Sequence, residues 1–144
     1  MTRVNVSSVI NAPAVKVWNQ IRNFNGLPDW HPAVVESFIE GDNPADQISC
    51  IRNFRLVDGG LIRERLLALS DYDFSCIYSI LESPLGVQNY VANLKLIPIT
   101  DGERTFAEWS AEFECSSDQE MDLINKIGQD VFQAGFNALK KRFQ

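Results

Sequence analysis

Apolar and polar positions alternate along most of this chain, and elsewhere they recur at helical spacing. From Arg3 to Ile10, Val4, Val6 and Ile10 share one face, which predicts a strand. Asn11 is placed to cap the next helix, with Pro13 in its first turn, where a missing N–H costs nothing. Ala14, Trp18 and Ile21 then repeat at helical spacing. Gly26 and Pro28 end this segment, and a short turn or second small helix carries Trp30. His31-Pro32 leads into an extended run from Val34 to Glu40, and residues 41–46 read as a loop.

Turn chemistry sets the phase of four further strands. Asp58-Gly59-Gly60 is a hairpin signal that predicts Phe54 opposite Glu64 and Leu56 opposite Ile62. A second turn near Asp71 to Asp73 predicts Glu64 opposite Ile80, Leu66 opposite Tyr78, and Ala68 facing Cys76. One face then carries Arg52, Phe54, Leu56, Ile62, Glu64, Leu66, Cys76, Tyr78 and Ile80. It is mostly apolar and is expected to point inward, because a one-residue slip would turn the whole set out. After a Pro84-Leu85-Gly86 break, two strands joined by Asp101-Gly102 turn Tyr90, Ala92, Leu94 and Leu96, then Ala107, Trp109, Ala111 and Phe113, inward.

A long helix is expected to begin at a Ser117-Asp118-Gln119-Glu120 capping box and to run to about Arg142. Lys140, Lys141 and Arg142 suit the negative end of its dipole. A helical wheel centres the apolar stripe on Ile124, Gly128, Val131, Gly135 and Ala138, flanked by Met121, Ile127, Phe132 and Leu139. Each glycine costs about 1 kcal/mol relative to alanine in a helix interior. Either the helix backbone approaches the sheet closely there, or space is left for something else.

Composition narrows the classes of function. The chain has 144 residues, 45% hydrophobic and 22% charged, which fits one folded domain spanning 1–144. A net charge of -6 disfavours nucleic acid and anionic membranes as partners. There is no signal-peptide pattern, and no apolar run approaches the roughly 20 residues of a membrane helix, so a cytoplasmic location without an integral membrane segment is expected. Cys50, Cys76 and Cys115 form no CxxC pair and read as small, partly buried strand residues. No metal or nucleotide cofactor motif is present.

The order strand, paired short helices, strands, long helix resembles the α+β helix-grip fold of the START-like, Bet v 1-like (SRPBCC) superfamily. Within it the chain resembles bacterial polyketide cyclase/dehydrase-type proteins. The resemblance rests on Ala12-Pro13 through Val17-Trp18, Phe24 through Pro32, Arg63-Glu64-Arg65-Leu66, Glu82 through Leu85, Asn89-Tyr90, Glu108-Trp109-Ser110 and Gly135 through Leu139. It implies a ligand cavity between helix and sheet, and so tips the two glycines toward space. The plant abscisic-acid receptors share the fold. Against them, Glu64 matches a cavity carboxylate, and Tyr78, Ile80, Val87, Tyr90 and Ala92 fall on cavity positions. His31 falls on a cavity lysine, and Val131 and Gly135 on cavity-facing helix positions. Their second cavity carboxylate falls on Ala107, and their gate loop is reduced to Asp58-Gly59-Gly60, so hormone binding and gating do not carry over.

Among the polar residues Glu64 stands out. An inward carboxylate must be paired or protonated, and Arg52 lies diagonally across the hairpin on the same face. The two form an internal bridge, or Glu64 anchors a ligand. His31, the one histidine, is a candidate general base or a rim residue without chemistry. Tyr78 and Tyr90 either donate to a ligand or only pack. The expected partner is a hydrophobic small molecule such as a lipid, polyketide or aromatic metabolite. The expected contacts are Trp30, His31, Arg52, Phe54, Glu64 and Leu66, then Tyr78, Ile80, Leu85, Val87, Tyr90 and Ala92, then Trp109, Gly128, Val131 and Gly135. The alternative is a cyclase or dehydratase using Glu64, His31, Tyr78 or Tyr90 as acid/base groups.

Overall fold

The alternation along the chain becomes seven strands in one antiparallel sheet. In the computed structural model, which describes residues 1–144, β1 (Thr2–Ile10) is followed by α1 (Ala14–Ile21) and α2 (Leu27–Trp30). The middle strands are β2 (Val34–Ile39), β3 (Ile51–Leu56), β4 (Leu61–Ser70) and β5 (Ser75–Glu82). Then come β6 (Gln88–Ile99) and β7 (Arg104–Glu114). The C-terminal helix has three parts: α3 (Glu120–Asn125), a π-helical stretch (Lys126–Gln133) and α4 (Ala134–Arg142). Strand order is β1-β7-β6-β5-β4-β3-β2, and the sheet curves around the helix in the helix-grip arrangement. No helix is long and apolar enough to cross a membrane.

The faces of the long strands follow the sequence pattern. Tyr90, Ala92, Leu94 and Leu96 of β6 and Ala107, Trp109, Ala111 and Phe113 of β7 are all buried, as alternation requires. Glu64 lies opposite Ile80 and Leu66 opposite Tyr78, as expected. The first hairpin is displaced by two residues. Arg52 faces Glu64 and Phe54 faces Ile62, because the turn closes between Leu56 and Gly60, one residue earlier than Asp58-Gly59-Gly60 suggests. Gly59 takes a φ of 92° there. The inward face survives the shift, since two residues is one full period of a strand. Ala68 does not face Cys76. A bulge at Leu67 puts Ala68 opposite Ile77 and Leu69 opposite Cys76.

Both predicted helix caps differ from the structure. α1 begins after Pro13, and Asn11 makes no capping bond. The turn before it is pinned instead by the Thr105 hydroxyl, which donates to the Ala12 carbonyl at 2.7 Å. The Ser117 capping box does not form, and the helix starts after Gln119. The Glu120 carboxylate that would have closed the box accepts from the Thr2 hydroxyl at the start of β1.

The C-terminal helix is not one regular α-helix. Ala134 N–H donates to the Gln129 carbonyl, five residues back. The buried anchors are Leu123, Ile127, Phe132, Phe136 and Leu139, spaced four, five, four and three. The five-residue step lies in the π stretch, and it rotates the stripe away from a wheel built on 3.6 residues per turn. Met121, placed beside the stripe by the wheel, is exposed, whereas Phe136 is fully buried.

Neither helix glycine borders open space, and Gly135 marks a close approach. A Cβ on Gly128 would meet Val4 at 3.5 Å, and one on Gly135 would lie 2.9 Å from Trp109, 3.0 Å from His31 and 3.2 Å from Trp30. The reading that they border open space is therefore corrected. They seat the helix on β1 and on an aromatic cluster in which Trp109 stacks on Phe132 with centroids 4.6 Å apart. A helix drawn down on that side leaves the β3–β5 side of the sheet uncovered, and the hollow of the fold opens there.

Candidate functional site

The hollow is a cavity of about 310 Å³. Phe54, Ile62, Tyr78, Ile80 and Tyr90 come from the strands, and Ile127 and Val131 from the helix. Leu27, His31, Ala33 and Val34 close a third side, between α2 and β2. Val57 and Asp58 of the β3–β4 turn stand at the rim with Lys126 and Asp130 of the helix, all four exposed.

Arg52 and Glu64 form the polar floor. Cross-strand pairing puts them directly opposite one another, not diagonally, and both are buried. Arg52 Nε donates to Glu64 Oε1 at 2.8 Å, and Nη2 lies 2.7 Å from the same oxygen. Nη1 donates to the Phe24 carbonyl at 3.1 Å. The guanidinium carbon sits 4.0 Å from the centroid of the Phe24 ring and 4.7 Å from that of Tyr78. Three of its five N–H donors and both faces are thus engaged by the protein. Burial raises the Glu64 pKa, while the charge of Arg52 pulls the other way. Protonating Glu64 would leave a bare buried guanidinium, so the ionised pair is the state the site is built around. Glu64 Oε2 makes no bond to the protein and is open to the cavity.

The two tyrosines add hydroxyls to the same wall. Tyr78 accepts from Trp109 Nε1 at 2.9 Å, which leaves its own O–H free to donate. The Tyr90 hydroxyl has no protein partner. Burial pushes both phenols well above their ordinary pKa, so they stay neutral donors.

His31 is occupied at both nitrogens. Nε2 lies 2.7 Å from the Val131 carbonyl in the π stretch, and Ala33 N–H donates to Nδ1 at 3.1 Å. That pattern fixes the neutral tautomer with its proton on Nε2. Burial lowers its pKa, against the opposing pull of the Val131 carbonyl. The ring ties α2 to the helix, with both nitrogens committed to backbone groups.

Of the residues expected at the site, the cavity brings together His31, Arg52, Phe54, Glu64, Tyr78 and Ile80, with Leu85, Tyr90, Trp109 and Val131. Trp30, Leu66, Val87, Ala92, Gly128 and Gly135 are not on its wall. Leu66 and Ala92 are buried in the core beside it, and Trp30 packs 5.9 Å from Trp109, centroid to centroid. The rim charges Asp58, Lys126 and Asp130 were not anticipated, nor were the wall residues Leu27, Ala33, Val34, Ile62 and Ile127. Ile62 and Leu56 were already on the inward face and could have been named from the hairpin. The cysteines lie apart and unpaired, and burial raises the pKa of Cys76 to about 11.

Comparison with known proteins adds a family and a set of structures. Residues 1–144 match the family described as polyketide cyclase / dehydrase and lipid transport. No curated protein matches. The protein XoxI from Bacillus cereus is 28% identical, with a TM-score of 0.89 over 99% of this chain and 96% of that one. A protein from Thermobifida fusca, also 28% identical, superposes with a TM-score of 0.89 over 99% of this chain and 93% of its own. A START superfamily protein from Mycobacterium smegmatis, 12% identical, gives a TM-score of 0.78 over 99% and 97% of the two chains, and bears on the fold alone.

Proposed function

Because the chain belongs to the polyketide cyclase/dehydrase and lipid transport family, of the START-like superfamily, we propose that its cavity binds a small, largely apolar molecule oriented by Glu64. The observation that carries this reading is the contrast inside the hollow. Apolar side chains make most of the wall, while one carboxylate oxygen and two phenolic hydroxyls converge on one side without full protein partners. Few, placed polar groups in an apolar pocket are what fixes a ligand's orientation. Native mass spectrometry of the purified protein, with thermal-shift screening against small aromatics and polyketide-like rings, tests it. A ligand that prefers the native state raises Tm. A Val131→Trp variant, which fills the hollow, is expected to abolish every such shift. Shifts that survive this change would place binding elsewhere.

A second reading, a cyclase or dehydratase, draws on the same oxygen. Glu64 Oε2 is the carboxylate atom open to the cavity, and so the one placed to take a proton from a bound chain. Under that reading Glu64→Gln abolishes turnover and leaves binding intact. Under the binding-protein reading the same change weakens binding.

A further inference from the structure

We propose that the cavity selects an uncharged one- or two-ring compound bearing a hydroxyl, such as a phenol or cyclic alcohol, and rejects carboxylates of the same skeleton. The inference rests on the reading that the cavity takes a ligand, and adds which chemistry it admits.

Size comes first. At about 30 Å³ per water in the liquid, 310 Å³ corresponds to roughly ten waters. That suits one or two rings and excludes a two-chain lipid.

Polarity comes next. A carboxylate ligand needs a cation or several free donors. Arg52 is the cation on the floor, and its Nε and Nη2 are on Glu64, its Nη1 on the Phe24 carbonyl, and its faces against Phe24 and Tyr78. Three of its five N–H donors are taken and its charge is already matched by Glu64, so a second carboxylate on this floor would lie against the first. What the floor does offer is Glu64 Oε2, a pure acceptor, which calls for a donor on the ligand. The free O–H of Tyr78 and the Tyr90 hydroxyl can then meet the ligand oxygen that gives its proton to Glu64. A hydroxyl satisfies this constellation, and an ether or a bare hydrocarbon leaves the carboxylate oxygen desolvated and unpaired. At the rim, Asp58 and Asp130 outnumber Lys126, so the entrance adds repulsion against anions on a chain of net charge -6.

Matched probes on one skeleton separate these terms. Dissociation constants for 2-naphthol, 2-methoxynaphthalene and 2-naphthoate, read by calorimetry on the full chain, are expected in that order. A hydrogen bond to a charged group corresponds to roughly tenfold or more between the first two, and naphthoate is expected not to bind. The naphthol preference is expected to vanish in Glu64→Gln. Because Glu64→Gln leaves Arg52 uncompensated, the double variant Arg52→Met with Glu64→Leu, which removes the pair together, carries the same readout. Naphthoate binding as tightly as naphthol overturns the proposal and leaves the cavity reading standing. So does equal affinity for naphthol and its methyl ether. Silence from all three probes, with Val131→Trp indistinguishable from wild type, overturns the cavity reading itself.

Discussion

At the scale of single residues, the two helix glycines are chemically alike and structurally opposite. The Cβ of an alanine at 135 would sit 2.9 Å from a carbon of Trp109 and 3.0 Å from one of His31, both in rigid, buried rings. Overpacking of that kind costs about 1–3 kcal/mol, more than the helix-propensity gain of about 1 kcal/mol returns. An alanine at 128 would meet Val4 at 3.5 Å and Val6 at 3.9 Å, ordinary contact distances. Urea melts are therefore expected to show Gly135→Ala destabilised and Gly128→Ala unchanged or stabilised by up to about 1 kcal/mol. Equal effects of the two would contradict the close approach. His31 makes a second residue-level case. His31→Phe keeps a ring in place but leaves the Ala33 N–H without a partner and the Val131 carbonyl with only the Ala134 N–H, a loss of about 1–3 kcal/mol in all. A general-base role would instead predict a stable variant with lost turnover.

At the scale of elements, what the sequence disclosed depended on whether a period stayed intact. Alternation is robust, so the inward faces of β3 to β7 were legible, and with them Glu64, Arg52, Tyr78 and Tyr90 on one wall. The Leu67 bulge and the early turn at Asp58 were not, because each inserts or shifts a residue without changing composition. The helix failed for the same reason on a larger scale. A wheel at 3.6 residues per turn has no place for the five-residue step from Ile127 to Phe132, and so it set exposed Met121 beside the stripe and left out buried Phe136, whereas it was the resemblance that turned the glycines toward a hollow. Rim charges such as Lys126 and Asp130 carry no period at all. The π stretch can be tested directly. Deleting exposed Gln129 turns the five-residue step into four, which lets Leu123, Ile127, Phe132, Phe136 and Leu139 share one α-helical stripe. Far-UV circular dichroism is expected to keep its helical signal. The Val131 carbonyl, however, is swung off His31, and Tm is expected to fall by several degrees, as a loss of about 1–3 kcal/mol implies. An unchanged or raised Tm would mean that the irregular helix has no role in holding the site wall.

At the scale of the whole molecule, these local environments combine into a pH profile of stability. His31 is buried neutral with its pKa held below 6.5, mainly by desolvation. The unfolded chain then binds a proton that the folded one refuses, so the stabilisation is complete above 6.5 and is lost as pH falls through the folded value. Glu40, drawn down to about 2 by Arg63, and Asp71, held low by Arg22 and Trp18, add a second loss that begins only near their ordinary 4.5 and 3.8. Asp71 is exposed and Glu40 partly so, and solvent screening keeps their share small. Glu64 acts in the opposite sense. Its raised pKa means that the folded state holds its proton longer, so its contribution fades as pH rises from 4.5 through the folded value. Between 4.5 and 6.5 the histidine and the glutamate therefore oppose each other, and the wild-type profile is expected to be flatter there than either group alone would make it. Variants resolve them. With unfolding free energies from urea melts at each pH, the stability gap between wild type and His31→Phe is expected to be widest above pH 6.5 and to narrow on acidification. The Arg52→Met, Glu64→Leu double variant, which retains His31 but loses the counterweight, is expected to fall more steeply than wild type over the same interval. A wild-type-to-His31→Phe gap that stays constant from pH 8 to pH 5 would mean that the histidine is free to titrate, and with it that neither of its nitrogens is committed to the backbone of the site.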